Sequence, residues 1–287
     1  DNTISLEFAK AMSAAGGMHI FSRGTPFSER FNAVCKLSEN GYNVGIAVSL
    51  DEFKENRTLL ENIAAIVSID IANGSIIDEI YWNSPYPLIV GNFANPSISL
   101  TDRFSGNIIL KMGVGNGSAC STRVVTGVGA PQAGLVYDSS RNSNFPIISD
   151  GGISSVSDFT KAIALGADLI MTGRMFGHAV ESPWEVLDFE GKKFKAYRGM
   201  ASKEEKQSKK FVEGASGYIP FENKTVQEIM YDFSDGLTSA MSYCDSFNIK
   251  EFQSKASFIS SSSHHLESAV RILSQWLICP NTQKELE

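Results

Sequence analysis

A cysteine inside a glycine-rich loop is the feature of this chain whose residue types are best suited to chemistry. The stretch Gly113–Gln132 reads GVGNGSACSTRVVTGVGAPQ, and Cys120 within it is followed by Ser121, Thr122 and Arg123. Glycines let backbone N–H groups approach an anion or a flat ring closely, because no Cβ intervenes. A thiol among hydroxyls and a fixed positive charge is a candidate nucleophile. A buried structural cysteine beside a flexible loop is the alternative.

Two carboxylates stand next to glycines further along the chain. Asp150 precedes Gly151 and Gly152 after an apolar run, so its carboxylate could accept hydrogen bonds from ribose hydroxyls while the glycines admit a phosphate. An aspartate that caps a helix is the alternative for this group. Glu213, which precedes Gly214, is by itself most simply an ordinary surface charge.

Short apolar runs alternate with longer amphipathic stretches, which is the pattern of βα units in a parallel sheet. Nearly all of the apolar runs end at glycines or polar side chains that are suited to building a site. In a (β/α)8 barrel the active site lies at the carboxyl ends of the strands, so we expect these residues to meet there. We predict strands at Gly17–Phe21, Val44–Val48, Ile66–Ile71, Leu88–Asn92, Ile108–Met112, Pro146–Ser149 and Leu169–Thr172, and helices at Leu6–Ala15, Phe27–Asn40, Val156–Ala164 and Val226–Asn248.

Composition argues against several classes of protein. The 287 residues suit one large domain, and 43% hydrophobic residues is ordinary for a soluble globular protein. A net charge of −7 disfavours general nucleic-acid binding, and no window has the roughly 18 apolar residues of a membrane span. The start of the sequence lacks the features of a signal peptide. The four cysteines form no C-x-x-C pair and the four histidines lack metal-ligand spacing, which argues against zinc and disulfides and favours a reducing cytoplasm.

The Cys120 loop resembles the active-site loop of the IMP dehydrogenase/GMP reductase family, whose pattern is G-x-G-x-G-S-x-C-[ST]-T-R followed by T-G-V-G-x-P-Q. The resemblance extends from Asp1 to about Ser263 and implies a (β/α)8 TIM barrel. Only seven strands are visible, whereas a barrel needs eight. Since Asp1–Ile4 resembles the segment that follows the family's first strand, we expect that strand to be missing from this sequence; the alternative is that the barrel is completed in an unusual way. Four further motifs follow in the expected order: Asp150-Gly151-Gly152, Gly173-Arg174, Tyr197-Arg198-Gly199-Met200 and Glu213-Gly214.

The same resemblance assigns roles to individual residues. Cys120 would bond covalently to C2 of a purine, and Thr122 with Glu213 would move the proton of a leaving ammonia. The nucleotide-binding residues that it implies are Ser118, Asp150, Gly151, Gly152, Gly173, Arg174, Tyr197, Gly199, Met200, Lys210 and Gly214. Those implied for the nicotinamide cofactor are Arg23, Asp70, Ile71, Ala72, Asn73, Gly115 and Met200. The carbonyls of Gly115, Gly117, Cys120 and Arg123 are implied as ligands of potassium.

Three features favour the reductase branch of the family, in which GMP and NADPH give IMP, ammonia and NADP. Asp70–Gly74 (DIANG) is similar to the reductase form, Phe21–Val44 leaves no room for an inserted regulatory domain pair, and the segment after Met200 lacks the Arg-Tyr pair of dehydrogenases. The motif at Tyr197 reads slightly more like the dehydrogenase form. IMP dehydrogenase, which converts IMP to XMP with NAD, is therefore the alternative. Because Arg174 departs from the family pattern, a catalytically silent purine-nucleotide-binding regulator is a further alternative.

The domain organisation follows from the same comparison of motifs. We expect residues 1–263 to form the catalytic barrel, with a mobile flap at about 200–217, and residues 264–287 to form a loosely specified helix and tail. The resemblance implies a homotetramer that uses NADPH and K+, and the composition predicts a cytoplasmic protein that binds neither nucleic acid nor membranes.

Overall fold

The structure is a computed structural model that describes residues 5–95, 103–198, 216–260 and 275–278. Its strands are β1 (His19–Phe21), β2 (Val44–Val48), β3 (Ile66–Asp70), β4 (Ile80–Trp82), β5 (Leu88–Phe93), β6 (Phe104–Gly106), β7 (Ile108–Met112), β8 (Ile147–Asp150), β9 (Leu169–Met171), β10 (Val186–Phe189), β11 (Lys192–Arg198), β12 (Ser216–Pro220), β13 (Ser257–Ser260) and β14 (Gln275–Ile278). Its helices are α1 (Leu6–Ala14), α2 (Phe27–Glu39), α3 (Leu50–Glu55), α4 (Arg57–Glu61), α5 (Thr122–Thr126), α6 (Gln132–Asn142), α7 (Val156–Ala164), α8 (Arg174–Gly177), α9 (Val226–Tyr243) and α10 (Ile249–Lys255).

Seven strands form one parallel sheet in the order β1-β2-β3-β5-β7-β8-β9. These are the seven strands predicted from the sequence, and their ends differ from the predicted ends by at most two residues. The sheet is curled into part of a barrel, so the predicted α/β fold of the (β/α)8 class is confirmed. Within the described residues, β1 and β9 are the two edges of this sheet.

The strands bury apolar side chains on both faces, as parallel sheets covered by helices do. On the outer face one large cluster joins the strands to α2. On the inner face Ile89, Ile109 and Ile148 form a second cluster, against which Ile20 of β1 and Met171 of β9 pack. Both edge strands therefore contribute to one inner core, which the curl of the sheet makes possible.

The predicted helix Val226–Asn248 ends early in the structure, and a second helix begins directly after the predicted end. α9 ends at Tyr243, and Asp245 then takes a left-handed backbone conformation with φ of 47°. The side chain of Asn248 accepts the backbone N–H of Glu251 and so caps the start of α10. The single-helix prediction was wrong beyond Tyr243, because Asn248 begins a new helix instead of ending the old one.

Three smaller sheets accompany the barrel strands. β4 pairs with β6 in parallel, while β10, β11 and β12 form an antiparallel sheet in which Arg198 lies opposite Ser216. Residues 199–215 thus connect two paired strands, and Ser216 with Gly217, expected in the flap, belong to β12. β14, expected within a helix and tail, is a strand that pairs with β13.

No helix in the described ranges has both the length and the apolar composition that a membrane span requires.

Candidate active site at the carboxyl end of the sheet

The charged side chains of Asp70, Lys111 and Asp150 meet on the inner face of the sheet. They lie next to the inner apolar core, towards the carboxyl ends of the strands. Since side chains of a strand alternate between faces, Lys111 lies on the same face as Ile109 in β7, and Asp150 on the same face as Ile148 in β8. Asp70 ends β3 and is two strands away from Lys111. The residue between them in the register is Gly91, which has no side chain to separate the two.

The ammonium of Lys111 bridges two carboxylates. Its Nζ lies 2.5 Å from Oδ1 of Asp70 and 3.4 Å from Oδ2 of Asp150. Lys111 is only 3% exposed, whereas the two carboxylates keep 30% and 25% of their side-chain surface exposed. The Arg23 Nε lies 3.7 Å from the other oxygen of Asp70. The result is a buried cation beneath two carboxylates that still offer acceptor surface to a ligand.

The charges in this group hold one another ionised. Burial by itself would raise the pKa of the Asp70 carboxyl, but the charge and hydrogen bond of Lys111, together with Arg23, hold that pKa below its usual value. Burial would likewise lower the pKa of Lys111, but the carboxylates of Asp150 and Asp70 raise it above the usual value for lysine. The Asp70 carboxylate and the Lys111 ammonium are therefore both charged at neutral pH.

Asn92 and Gln132 connect the carboxylate of Asp150 and its strand to the cysteine loop. Nδ2 of Asn92 donates to Oδ2 of Asp150 at 2.6 Å and to the carbonyl of Gly113 at 2.7 Å. Nε2 of Gln132 donates to the carbonyl of Met112 at 2.9 Å and to the Ser149 hydroxyl at 3.0 Å. These bonds fix the two ends of the loop against β7 and β8.

Arg123 and Asn116 brace the interior of the same loop. The guanidinium of Arg123 donates to the side chain of Asn116 and to the carbonyl of Ala130, and the Asn116 amide donates to Gln132. Glycine is required at Gly115, which has a φ of 79° and lies against the Arg123 side chain. The loop is therefore held by side chains of its own as well as by the sheet.

Cys120 is exposed at the tip of this loop. Its Sγ lies 3.2 Å from Oγ1 of Thr122, the first residue of α5, and the thiol is the donor. Its backbone N–H donates to the carbonyl of Gly117 at 2.9 Å, which closes the turn that presents the sulfur. An accessible thiol with a hydroxyl in hydrogen-bond reach is the arrangement expected of a nucleophile with a proton acceptor beside it.

The glycines after Asp150 lie directly against the cysteine loop. Gly151 has a φ of 86°, and a Cβ there would lie 2.9 Å from the backbone nitrogen of Gly117. Gly152 also has a positive φ, of 80°. Because only glycine tolerates this conformation and this close approach, the Asp150 segment and the cysteine loop form one continuous surface. The structure thus brings together the cysteine loop and the Asp150-Gly151-Gly152 motif, which were both predicted to bind the nucleotide.

The predicted phosphate-binding residues also converge. A methyl group added at Gly173 would lie 3.4 Å from the hydroxyl of Tyr197, although the two are far apart in sequence. Burial raises the pKa of Tyr197, the nearby charge of Arg174 opposes that shift and Asp150 adds to it. The ring of Trp184 contacts the Tyr197 ring edge to face at 4.8 Å and fixes its position. Gly173 is exposed, and Arg174 and Tyr197 are half-buried beside it, so these residues together form a surface to which a phosphate could bind.

Four of the residues predicted to face the cofactor lie around the exposed edge of Asp70: Arg23, Ile71, Ala72 and Asn73. Gly115, which was predicted with them, lies in the cysteine loop. Ile71 is partly buried, Ala72 and Asn73 are exposed, and the Asn73 side chain accepts the N–H of Ser75 at 3.1 Å. Asp70 keeps free acceptor surface while its charge is held by Lys111, so the residues present fit a group that presents ribose hydroxyls. These residues lie on the opposite side of Lys111 from Asp150.

The predicted potassium ligands lie within the cysteine loop. The carbonyl of Gly117 accepts the N–H of Cys120, and the carbonyl of Arg123 accepts the N–H of Gly127 at 3.1 Å. A carbonyl oxygen has a second lone pair, so a cation would be bound in addition to these hydrogen bonds. Ser118, predicted to contact the nucleotide, is exposed in the same loop. In the described part of the chain, no group of three or more His, Cys, Asp or Glu residues could hold a metal.

Five predicted site residues lie outside the described residues: Gly199, Met200, Lys210, Glu213 and Gly214.

Sequence reasoning missed Lys111, and it placed Asn92 among the strand-end residues suited to building a site without assigning it a role. A charged residue inside the apolar run IILKM is a usable signal, because lysine is almost never fully buried without a partner. The signal indicates that a partner exists but not which one. Gln132 is the last residue of the quoted loop pattern, but no signal in the sequence indicated that it ties the loop to the sheet.

Comparison with known proteins agrees with this geometry. Residues 2–270 match the IMP dehydrogenase / GMP reductase domain. Proteins named inosine-5'-monophosphate dehydrogenase are similar to the chain: that of Borreliella burgdorferi is 36% identical over 258 residues, covering 80% of this chain and 64% of the relative. That of Chlorobaculum parvum is 35% identical over 254 residues (78% and 51%), and that of Bacillus subtilis is 35% identical over 240 residues (75% and 49%). The chain spans about half to two thirds of the length of these relatives. On the motif order, the curled parallel sheet and these matches, the chain belongs to the IMP dehydrogenase/GMP reductase family.

Proposed function

We propose that this protein is an oxidoreductase that acts on a purine nucleotide through a covalent bond between Cys120 and C2 of the purine. The observation that carries the proposal is the exposed Cys120 thiol, 3.2 Å from the Thr122 hydroxyl, on a loop that packs against Gly151 beside Asp150. A nucleotide whose ribose is bound by Asp150 would place its purine towards this loop.

Thr122 supports the proposal through the hydrogen bond that it makes. Since the Cys120 thiol donates to the Thr122 hydroxyl, that hydroxyl is placed to receive the thiol proton when the sulfur attacks the purine. In the family pattern Thr122 works with Glu213 to move the proton of a leaving ammonia, so we propose Glu213 as the further acceptor to which Thr122 passes this proton. A bound nicotinamide cofactor supplies a hydride acceptor or donor at C2, and Asp70, Ala72 and Asn73 would hold it.

IMP dehydrogenation is the direction we propose first. The supporting observation is that relatives 33–36% identical to the chain bear the name inosine-5'-monophosphate dehydrogenase. In this direction the sulfur adds to C2 of IMP, the hydride leaves C2 for NAD, and water releases XMP and restores the thiol. The chemistry requires Cys120 in the addition and in the release.

GMP reduction is the second candidate, because one segment favours it. Asp70–Gly74 has the sequence DIANG, which is similar to the reductase form of this segment, and Ala72 and Asn73 are exposed beside Asp70. In that direction the sulfur adds to C2 of GMP, ammonia leaves, and hydride from NADPH gives IMP and restores the thiol. The two directions share Cys120 and differ in whether water or ammonia is exchanged at C2.

The test is absorbance at the reduced-nicotinamide band with purified protein in a potassium buffer. A rise with IMP and NAD identifies the dehydrogenase, and a fall with GMP and NADPH identifies the reductase. Either signal should disappear in Cys120→Ala but persist in Cys35→Ala, since Cys35 lies on α2. A signal that survives in Cys120→Ala would refute the covalent mechanism.

Tight IMP or GMP binding without any absorbance change would favour a silent regulator. Replacement of potassium by sodium in the same assay tests the predicted cation requirement.

A further inference from the structure

The two candidate subsites share one buried side chain. Asp150, proposed to bind the nucleotide ribose, and Asp70, proposed to bind the cofactor, both lie within 3.4 Å of the Nζ of Lys111. They belong to β8 and β3, with β5 and β7 between them in the sheet. Apart from Lys111, no described side chain has a hydrogen bond or ion pair to both carboxylates.

The surroundings of Lys111 allow it to reach both carboxylates but no ligand. Gly91 separates Asp70 from Lys111 in the register, and a Cβ at Gly91 would lie 2.6 Å from the Cβ of Lys111. The lysine stem occupies the space that a side chain would otherwise fill. Since Lys111 is 3% exposed, its effect on bound molecules must act through the carboxylates.

We propose that Lys111 is a positioning residue shared by both subsites, which holds Asp150 towards the nucleotide and Asp70 towards the dinucleotide. The inference rests on the proposed function for the identity of the two ligands. Its ammonium neutralises two inner-face carboxylates that would otherwise repel each other and turn away from the interior. Loss of this one side chain therefore weakens the binding of two different ligands that it does not touch.

The test compares Lys111→Met with Lys195→Met. Lys195 is an equally buried lysine on β11, at 1% exposure, but its Nζ donates to the backbone carbonyls of Ala179 and Ser182. Both variants remove a buried ammonium and both should lower the unfolding midpoint. Only Lys111→Met should weaken the binding of both the purine nucleotide and the nicotinamide dinucleotide, because only Lys111 contacts the two carboxylates.

Calorimetry measures the two affinities separately. IMP, or GMP if the protein is a reductase, is titrated into each variant alone. NAD or NADPH is then titrated in the presence of saturating nucleotide, in a Cys120→Ala background that prevents turnover. We expect Lys111→Met to raise both dissociation constants by about tenfold, the usual effect of losing a hydrogen bond to a charged group. Asp150→Asn should raise mainly the first constant, and Asp70→Asn mainly the second.

A second variant keeps the proposal testable if Lys111→Met alone folds poorly. Lys111→Met with Asp70→Asn removes the ammonium and one carboxylate, so only one inner-face carboxylate is left without its cation. Its nucleotide affinity should be about tenfold below that of Asp70→Asn alone. Dissociation constants within twofold of the parent, a change in only one of them, or the same joint loss in Lys195→Met would overturn the shared role. If the unmodified protein binds neither nucleotide, the proposed function itself is wrong.

Discussion

The amide nitrogen of Asn92 donates to the carboxylate of Asp150 at 2.6 Å, across the strand that separates them. Asn92 lies near the end of β5 and Asp150 ends β8, with β7 in between. The same nitrogen donates to the carbonyl of Gly113, where the cysteine loop begins. One amide thus sets the position of the proposed ribose acceptor relative to the loop that carries the proposed nucleophile.

Asn92→Asp should weaken nucleotide binding. The change keeps the shape of the side chain but replaces the donor with a second carboxylate next to Asp150, and like charges at this distance repel. We expect the dissociation constant for IMP or GMP, measured by calorimetry, to rise at least about tenfold, as for loss of a charged hydrogen bond. Asn142→Asp, at the exposed end of α6, is the control for the added charge. Equal affinity in both variants would contradict the role of Asn92.

Thr122→Val should slow the chemical step and leave nucleotide affinity nearly unchanged. Valine has the shape of threonine but no hydroxyl to accept the hydrogen bond from Cys120. Loss of a positioned proton acceptor reduces kcat by roughly a hundredfold or more. Thr122→Ser keeps the hydroxyl and should retain most of the activity. If valine and serine variants turn over alike in a steady-state assay, the hydroxyl has no part in proton transfer.

His19 should make the stability of the protein depend on pH between about 4 and 6.5. Its ring packs edge to face against Phe8 and Phe21, and burial lowers its pKa to about 4. The unfolded chain, with an ordinary histidine pKa near 6.5, therefore binds the proton more readily than the folded protein. The free energy of unfolding should fall as the pH drops through this window, by about 2 kcal/mol at pH 5 relative to pH 7.

The measurement is urea unfolding at pH 7 and pH 5 for the unmodified protein and for His19→Phe. Phenylalanine keeps an aromatic ring between the same neighbours but cannot be protonated, so this part of the pH dependence should disappear. An unchanged slope in His19→Phe would show that the linkage arises elsewhere.

Gly91→Ala should destabilise the protein and impair the site, although it adds only a methyl group. The new Cβ would lie 2.6 Å from the Cβ of Lys111 and 2.7 Å from its carbonyl oxygen, so the neighbouring strand must shift. We expect the free energy of unfolding to fall by about 1–3 kcal/mol, as for other overpacked sites. Gly134→Ala is the matched control: it lies in α6 with nothing within 4 Å of its Cβ position, and should stabilise by about 0.5–1 kcal/mol. Equal stability of the two variants in urea unfolding would contradict the close approach.

The sequence alone determined the seven strands of the main sheet, the starts of the four predicted helices and the motifs at the strand ends, because these signals are local. An apolar run such as Ile108–Met112 is short, bounded by polar residues and glycine, and is a strand wherever it packs. The cysteine loop was likewise recognisable from consecutive residues. Even the helix error after Tyr243 was local, since a capping Asn248 was present in the sequence.

Only the tertiary structure decided which side chains share the site. Lys111 and Asp70 are 41 positions apart, and Asn92 and Asp150 are 58 apart. Their contacts depend on strand order, on the register that puts Gly91 between Asp70 and Lys111, and on the curl that turns one face of each strand inward. These are properties of packing between distant segments. A lysine in an apolar strand indicates that a charged or polar partner exists, but only the folded sheet shows that Lys111 pairs with two carboxylates.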